Sequence, residues 1–363
     1  MTGAGMRFTE VRREAARNIA TGTSRAVLLA ALIAVVSGVL AGLDAIAMNG
    51  VITRADEFRE RGASITILTV EDGIDGRLCD ALASQHGVRA AGALKPEATP
   101  LSVAGVPGNP LPSFTASPGF SAMLPESSGR AASGLLLPRT VAETLGLRTG
   151  DPIHTADGPT RLGGTFEYPD DGRSRGLGYA AIAPTSPDTP FDQCWMDAFP
   201  VSRATTELLY TTIAANSIVA DTAPKLSQHN TVLGVAIDPA EAYRTRTAVA
   251  FSAAGLILGS FAGFVAVWAR RLEIASALHS GVRKRDQAAT LLLETLAWST
   301  AGAVTTIPVI AVLTSGLAAA DHLPVVLTAS STPVLTVSGA VLGALVAALA
   351  IREQRLFSYF KGR

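Results

Sequence analysis

"ARRLEIASALHSGVRKRDQAATLLLETL", residues 269–296, decides how this chain is organised. It leaves one apolar run through Arg270 and Arg271, carries Arg283, Lys284 and Arg285 in its middle, and closes inside a second apolar run. Between soluble helices a basic run is a solvated face. Between two runs long enough to cross a bilayer it marks a turn on the cytoplasmic side, where Lys and Arg accumulate. The reading therefore depends on whether the flanks are membrane spans.

They have the required length. The segment before the basic run, 247–269, reads "TAVAFSAAGLILGSFAGFVAVWA", and the segment after it, 288–317, has Glu294 as its only charge. Two further runs match them: 26–47, "AVLLAALIAVVSGVLAGLDAIA", and 333–351, which is uncharged. Each approaches or exceeds the ~20 apolar residues that cross the ~30 Å hydrocarbon core. Composition agrees, with mean hydropathy of +0.32. Of the 363 residues, 48% are hydrophobic and only 6% aromatic, so the apolar mass is Ala, Val, Leu and Ile, suited to helices in lipid. Ala45–Ala47 after an apolar stretch also fits a signal-peptide cleavage site, but the run outlasts the roughly 7–15 residues of such a segment. A retained span is expected.

Basic residues orient the spans. Arg7, Arg12, Arg13, Arg17 and Arg25 precede the first, the basic turn joins the second and third, and Arg352, Arg355, Lys361 and Arg363 follow the fourth. The connection 318–332 holds no Lys or Arg. All basic flanks are cytoplasmic only with four spans, both termini inside and multi-pass insertion in the cell membrane. The expected divisions are a cytoplasmic amphipathic helix in 1–25, span 1 at 26–47, an extracytoplasmic domain at 48–246 and span 2 at 247–269. A cytoplasmic coupling loop at 270–287, span 3 at 288–317, an outer loop at 318–332, span 4 at 333–351 and a cytoplasmic tail at 352–363 complete the chain. In the first helix Phe8, Val11, Ala15 and Ile19 share a face, as in a helix lying on the inner membrane surface.

The outer segment reads as an α+β domain of two or more small lobes. "SITILTV" (64–70) and "VRAAGAL" (88–94) are strand patterns. Between them Ile74, Leu78 and Leu82 recur at helical spacing. Pro138 and Gly146 bracket a short helix, and the Gly150–Asp151 turn leads to the strand "TRLGGTFEY". Residues 44–62 and 238–246 are expected to continue spans 1 and 2 as helical stalks. Cys79 and Cys194, the only cysteines, both fall in this domain, where a disulfide is permitted. Two cysteines alone leave open whether they meet.

Several chemistries are excluded. Net charge is zero, against a nucleic-acid partner. The four lysines, Lys95, Lys225, Lys284 and Lys361, never follow glycine, so there is no Walker A loop and no ATP hydrolysis by that route. There is no H-E-x-x-H, C-x-x-C or G-x-S-x-G, and the S-x-x-K match of Ser358 with Lys361 lies in the tail. No metal and no cofactor are expected. His322, next to Asp321, reads as a solvated loop residue, and Glu294 as a structural charge paired with an arginine near the cytoplasmic interface. Glu294 is taken as the sole charge within the spans.

The spans carry a different pattern. Gly255, Gly259 and Gly263 recur every fourth residue in span 2, Ala34, Gly38 and Gly42 in span 1, and Gly339, Gly343 and Ala347 in span 4. Such ladders let helix backbones approach closely, within one bundle or between two copies.

The order of parts resembles the MacB/FtsX-like family of ABC transporter permeases. The resemblance lies in an arginine-rich span end, a Glu-Ile pair, a short Ala-Leu-Gly helix, a basic turn and an apolar helix with an early Glu. Arg270, Arg271, Glu273, Ile274, Ala277, Leu278, Gly281, Arg283 and Glu294 hold those places, with "LHSGV" where the family often has Leu-Gly-Ala. "LLLPRTVAETLGLRTGDPIHT" is similar to the family's periplasmic core segment. The resemblance implies a permease subunit, dimeric with a like or unlike second subunit, in contact with membrane lipid and driven by a cytosolic ATPase dimer that binds the ATP. It implies that the loop carrying Glu273, Ile274, Ala277, Leu278, Gly281, Arg283 and Arg285 docks on that ATPase, with Ile274 and Leu278 entering its groove. The work implied is mechanotransmission to the outer domain, exporting a peptide, antibiotic or lipid-linked substrate. Two alternatives stand beside it: an FtsX-like transducer regulating cell-wall hydrolases, and an anchored receptor without an ATPase.

Overall fold

In the computed structural model, residues 7–103, 108–129, 134–156, 158–215, 223–245, 248–352 and 354 are described. The Ser358–Lys361 match and most of the 352–363 tail lie outside them. The chain divides into two compact units, Thr53–Ala240 and the remainder.

Helix α1 (Phe8–Ala20) ends at the Thr21–Arg25 turn, where Gly22 takes φ +76°, and α2 (Ala26–Glu60) runs unbroken for 35 residues. In lipid a helix satisfies every backbone N–H and C=O internally, which is why the apolar run and its polar extension form one element. Val11 and Ala15 of α1 are buried, whereas Phe8 is 68% exposed. The expected four-residue face is thus shorter by one residue.

The unit Thr53–Ala240 contains β1 (Ile65–Asp75), α3 (Gly76–Ala81), β2 (Val88–Pro96), β3 (Ser113–Ala116), β4 (Ser128–Gly129), β5 (Leu135–Pro138) and α4 (Arg139–Thr144). It continues with β6 (Pro152–Thr155), β7 (Gly158–Phe166), β8 (Ala181–Pro184), β9 (Pro190–Ala198), α5 (Arg203–Leu208) and β10 (Lys225–Gln228). The strands form one ten-stranded sheet in the order β10-β1-β9-β2-β3-β8-β5-β7-β4, with β6 beside β7. This corrects the expectation of separate lobes: β3 pairs in parallel with β8, Ser113 opposite Ala181, and joins what sequence reads as two halves.

Burial on both faces explains the near-continuous apolar run of β1. Ile65 and Ile67 face a core with Phe120, Phe166 and Trp195, while Leu68 and Val70 face one with Cys79, Phe191 and Met196. The expected helical face of Ile74, Leu78 and Leu82 is also corrected. The Asp75 carboxylate accepts from the backbone N–H of Arg77 and Leu78, starting α3 only after Ile74. Ile74 is therefore buried as a strand residue, and Leu78 is 46% exposed.

After α6 (Pro239–Thr245) come α7 (Ala248–Trp268), α8 (Arg271–His279), α9 (Lys284–Val304), α10 (Thr306–Thr314), α11 (Ala319–Ala329) and α12 (Ser331–Ala350). Among the described residues four helical stretches are long and apolar enough to span a bilayer. The expected outer loop 318–332 is largely helical, as α11, and His322 within it meets the Thr314 hydroxyl at 3.2 Å rather than standing free in a loop.

Candidate functional site: the basic turn and the ion pair beneath it

The segment 269–296 folds as a short helix between two long ones. After α7, Arg270 leaves helical geometry (φ −100°, ψ 16°) and α8 begins. Gly281, at φ +98°, turns the chain, a conformation costly for any residue with a Cβ. Arg283 then precedes α9 in extended geometry.

The polarity of α8 differs from the expectation. Ile274 is 2% and Ala275 0% exposed, packed in a core with Val267, Leu291, Ala344, Ala347, Ala348 and Ile351. Leu278 is partly buried against that core. Ile274 therefore holds α8 to its own bundle and is not available to a partner's groove; the i, i+4 pair faces inward. Glu273, Ser276, His279, Ser280, Gly281, Arg283, Lys284 and Arg285 are exposed, and Ala277 is half-buried. The outward surface is polar, with acidic Glu273 on α8 and the basic residues in the turn after it.

Beneath α8 lies a buried ion pair. Arg270 Nη1 donates to Glu294 Oε2 at 2.6 Å, and its Nε to Glu273 Oε2 at 3.1 Å. Asn18 Nδ2 of α1 donates to the other Glu294 oxygen at 2.7 Å. The Glu294 side chain is 4% exposed and that of Arg270 15%. One carboxylate thus ties α1, the α7–α8 junction and α9 together. Sequence alone shows Glu294 with an arginine in reach; Asn18, 276 positions away, carries no signal.

Glu294 is not the only charge within an expected span. Asp44 lies inside α2 and is fully buried.

The glycine ladders of spans 2 and 4 face each other. A Cβ on Gly259 would stand 2.1 Å from Thr336 O, on Gly263 1.9 Å from Ala340 O, on Gly339 2.2 Å from Leu256 O and on Gly343 1.8 Å from Ser260 O. Gly255 would meet the Thr336 hydroxyl at 2.6 Å. Backbone here packs on backbone, which only glycine allows. The span 1 ladder is not used in this way: a Cβ on Gly38 would meet nothing within 4 Å, and one on Gly42 only Leu313 at 3.6 Å. The contact of α2 with α9 is made instead by Gly302, against Ala30 O.

In the α/β unit Cys79 of α3 and Cys194 of β9 form a disulfide, their Cα atoms 5.8 Å apart. A cleft of about 1020 Å³ is lined by Arg59, Arg61, Arg89 and Arg173 together with Glu60, Glu126, Glu167 and Asp171. Arg173 is held by Asp171 and by the Glu60 carbonyl, and Arg89 by Asp197. Behind it His229 is buried, with Nδ1 3.1 Å from the Ser174 hydroxyl and its ring 4.7 Å from that of Trp195. Desolvation, reinforced by Arg173, pushes its pKa down to about 4, so the imidazole is neutral. Among the described residues no carboxylate contacts its Nε2, whose neighbour is the Tyr168 hydroxyl at 3.5 Å. The arrangement pins 168–174 to the end of β10. Sequence spacing could not bring Ser174 and His229 together. Among the described residues no cluster of three metal-ligating side chains occurs.

No family model matches this chain, and no curated protein matches it. Among solved structures it is similar to the periplasmic region of MacB from Actinobacillus actinomycetemcomitans. The two share 11% identity and a TM-score of 0.35, over 49% of this chain and 94% of that one. A superposition this loose leaves the fold to rest on the chain's own elements. Those are four apolar helices and a large α/β domain, the make-up of a membrane protein.

Proposed function

We propose that this chain is the permease subunit of an ABC transporter, spanning the cell membrane four times with both termini in the cytoplasm. It works as a dimer with a separate ATPase that binds and hydrolyses the ATP, since this chain has no Walker A loop. The observation that carries the reading is α8: a short helix between two apolar ones, clamped from below by Ile274 and by the Arg270–Glu294 pair, with Glu273, Ser276 and His279 facing outward and the exposed basic turn Arg283–Arg285 just after it. A helix so anchored moves as one piece with α7 and α9, which suits transmission of force from a docked ATPase to the outer domain. Docking then uses the exposed face around Ser276 and Arg285, meeting acidic groups on the partner. Movement of the outer domain would serve export of a peptide, antibiotic or lipid-linked substrate without a polar channel through the spans.

The test is isolation of the tagged chain from its native membranes in mild detergent. A stoichiometric P-loop ATPase with vanadate-sensitive hydrolysis is expected. Ser276→Glu with Arg285→Glu should lose that partner while the unfolding midpoint of the chain is unchanged. Intact chain without any ATPase, or a double variant that keeps it, overturns the reading; a cell-wall hydrolase in its place supports the signal-transducing alternative.

A further inference from the structure

We propose that the cleft between the basic turn and the end of α12 binds the headgroup of an anionic phospholipid. It holds about 370 Å³ and is lined by Leu278, Val282, Lys284, Ile351, Arg352 and Gln354. This rests on the chain being a membrane protein and not on the transporter assignment.

The lining has two chemistries side by side. Lys284 and Arg352 are cations, Gln354 adds a neutral polar group, and no described lining residue is acidic. Leu278 and Val282, both half-buried, are aliphatic, and the fully buried Ile351 closes the floor. A phosphodiester attached to glycerol and acyl chains presents the matching pair, a fixed negative charge beside hydrocarbon. Basic pockets at the cytoplasmic ends of membrane helices take anionic lipids for this reason. A free anion uses only the polar half, and a partner helix needs a longer apolar groove than three side chains supply.

The cations are placed for the task. Lys284, the first residue of α9, donates to Leu349 O at 2.9 Å, which holds its ammonium over the end of α12. An ammonium has three donors, so two remain for a ligand. Arg352 lies just beyond the Ile351 cap of α12, is exposed, and makes no ion pair or hydrogen bond among the described residues. Its planar guanidinium can take two phosphate oxygens at once. The cleft therefore sits where helices leave the apolar phase. The sequence that follows carries Glu353 against Arg355, Lys361 and Arg363, with Phe357, Tyr359 and Phe360, a net basic and aromatic composition.

The experiment uses the full chain in detergent, titrated with phosphatidylglycerol or with phosphatidylcholine, and counts bound lipid by native mass spectrometry. One phosphatidylglycerol per chain is expected, preferred over phosphatidylcholine by roughly fivefold or more, since each cation contributes about that factor. Arg352→Gln should remove roughly fivefold of the preference and Arg352→Lys restore part of it. Lys284→Gln also loses the Leu349 contact, so Arg352→Gln, which breaks no contact among the described residues, is the deciding variant. Equal retention of both lipids, or a preference unchanged by Arg352→Gln, overturns the proposal. Displacement by millimolar inorganic phosphate as effective as by the lipid assigns a free-anion site and overturns it. So does an Arg352→Cys thiol that crosslinks to a co-purifying protein while phosphatidylglycerol leaves its labelling unchanged.

Discussion

Removing the Glu294 carboxylate should be among the most destabilising single changes at the α8 end of the bundle. The side chain is 4% exposed and accepts from Arg270 at 2.6 Å and from Asn18 at 2.7 Å. In Glu294→Ala the guanidinium of Arg270, 15% exposed, keeps only Glu273, whose own side chain is 61% exposed. Breaking a buried pair costs ~3–5 kcal/mol, because the surviving charge is left uncompensated. The remaining Glu273 contact places the expected loss at the lower end, ~3 kcal/mol, or roughly 150-fold in the folding equilibrium. Arg270→Met should cost a similar amount. The double variant Arg270→Met with Glu294→Leu should cost well under the sum, since no charge is then stranded. Equilibrium unfolding of the full chain in mixed micelles measures this, with Trp298 of α9, 3% exposed, as the fluorescence reporter. Because Asn18 ties α1 to the same carboxylate, Glu294→Ala should also speed tryptic cleavage at Arg12, Arg13 and Arg17. Single losses below ~1 kcal/mol that add within ~0.5 kcal/mol in the double variant would refute the reasoning.

Two further outcomes follow from the packing and from a buried base. Gly343→Leu or Gly263→Leu should force α7 and α12 apart by roughly 1 Å or more and lower stability by ~1–3 kcal/mol, the usual cost of overpacking. Gly38→Ala, with nothing within 4 Å of the added Cβ, should stay within ~0.5 kcal/mol of the parent; unfolding in micelles compares them. His229 is neutral in the folded chain, with its pKa lowered from 6.5 to about 4. The unfolded chain binds the extra proton first, so stability contributed by this residue is complete above pH ~6.5 and is lost as pH falls towards 4, by ~3 kcal/mol in all. His229→Gln should flatten that part of the stability profile of the α/β unit; an unchanged slope between pH 4 and 6.5 would contradict the assignment.

The membrane character of the chain, its four apolar stretches and the helical continuation of the first to Glu60 were legible in the sequence. They depend on composition along the chain, and a backbone in lipid has few alternatives to helix. Strands such as "SITILTV" and the capped helix before Gly146 were legible for the same local reason. The facing of the Ile274 side chain was not. A short helix with apolar residues at i and i+4 shows a face but not its owner, and only the packing of Leu291, Ala344 and Ile351 assigns that face to the chain's own core. The ladders read alike in three spans, yet only those of α7 and α12 meet, because a ladder states that close approach is possible and the bundle decides with which helix. The joining of the α/β domain into one sheet came from β3 beside β8, a parallel pairing across 68 positions of sequence. Contacts such as Asn18 with Glu294 and Cys79 with Cys194 belong to tertiary structure for one physical reason: local chemistry limits what each residue can do, and folding selects the partner with which it does it.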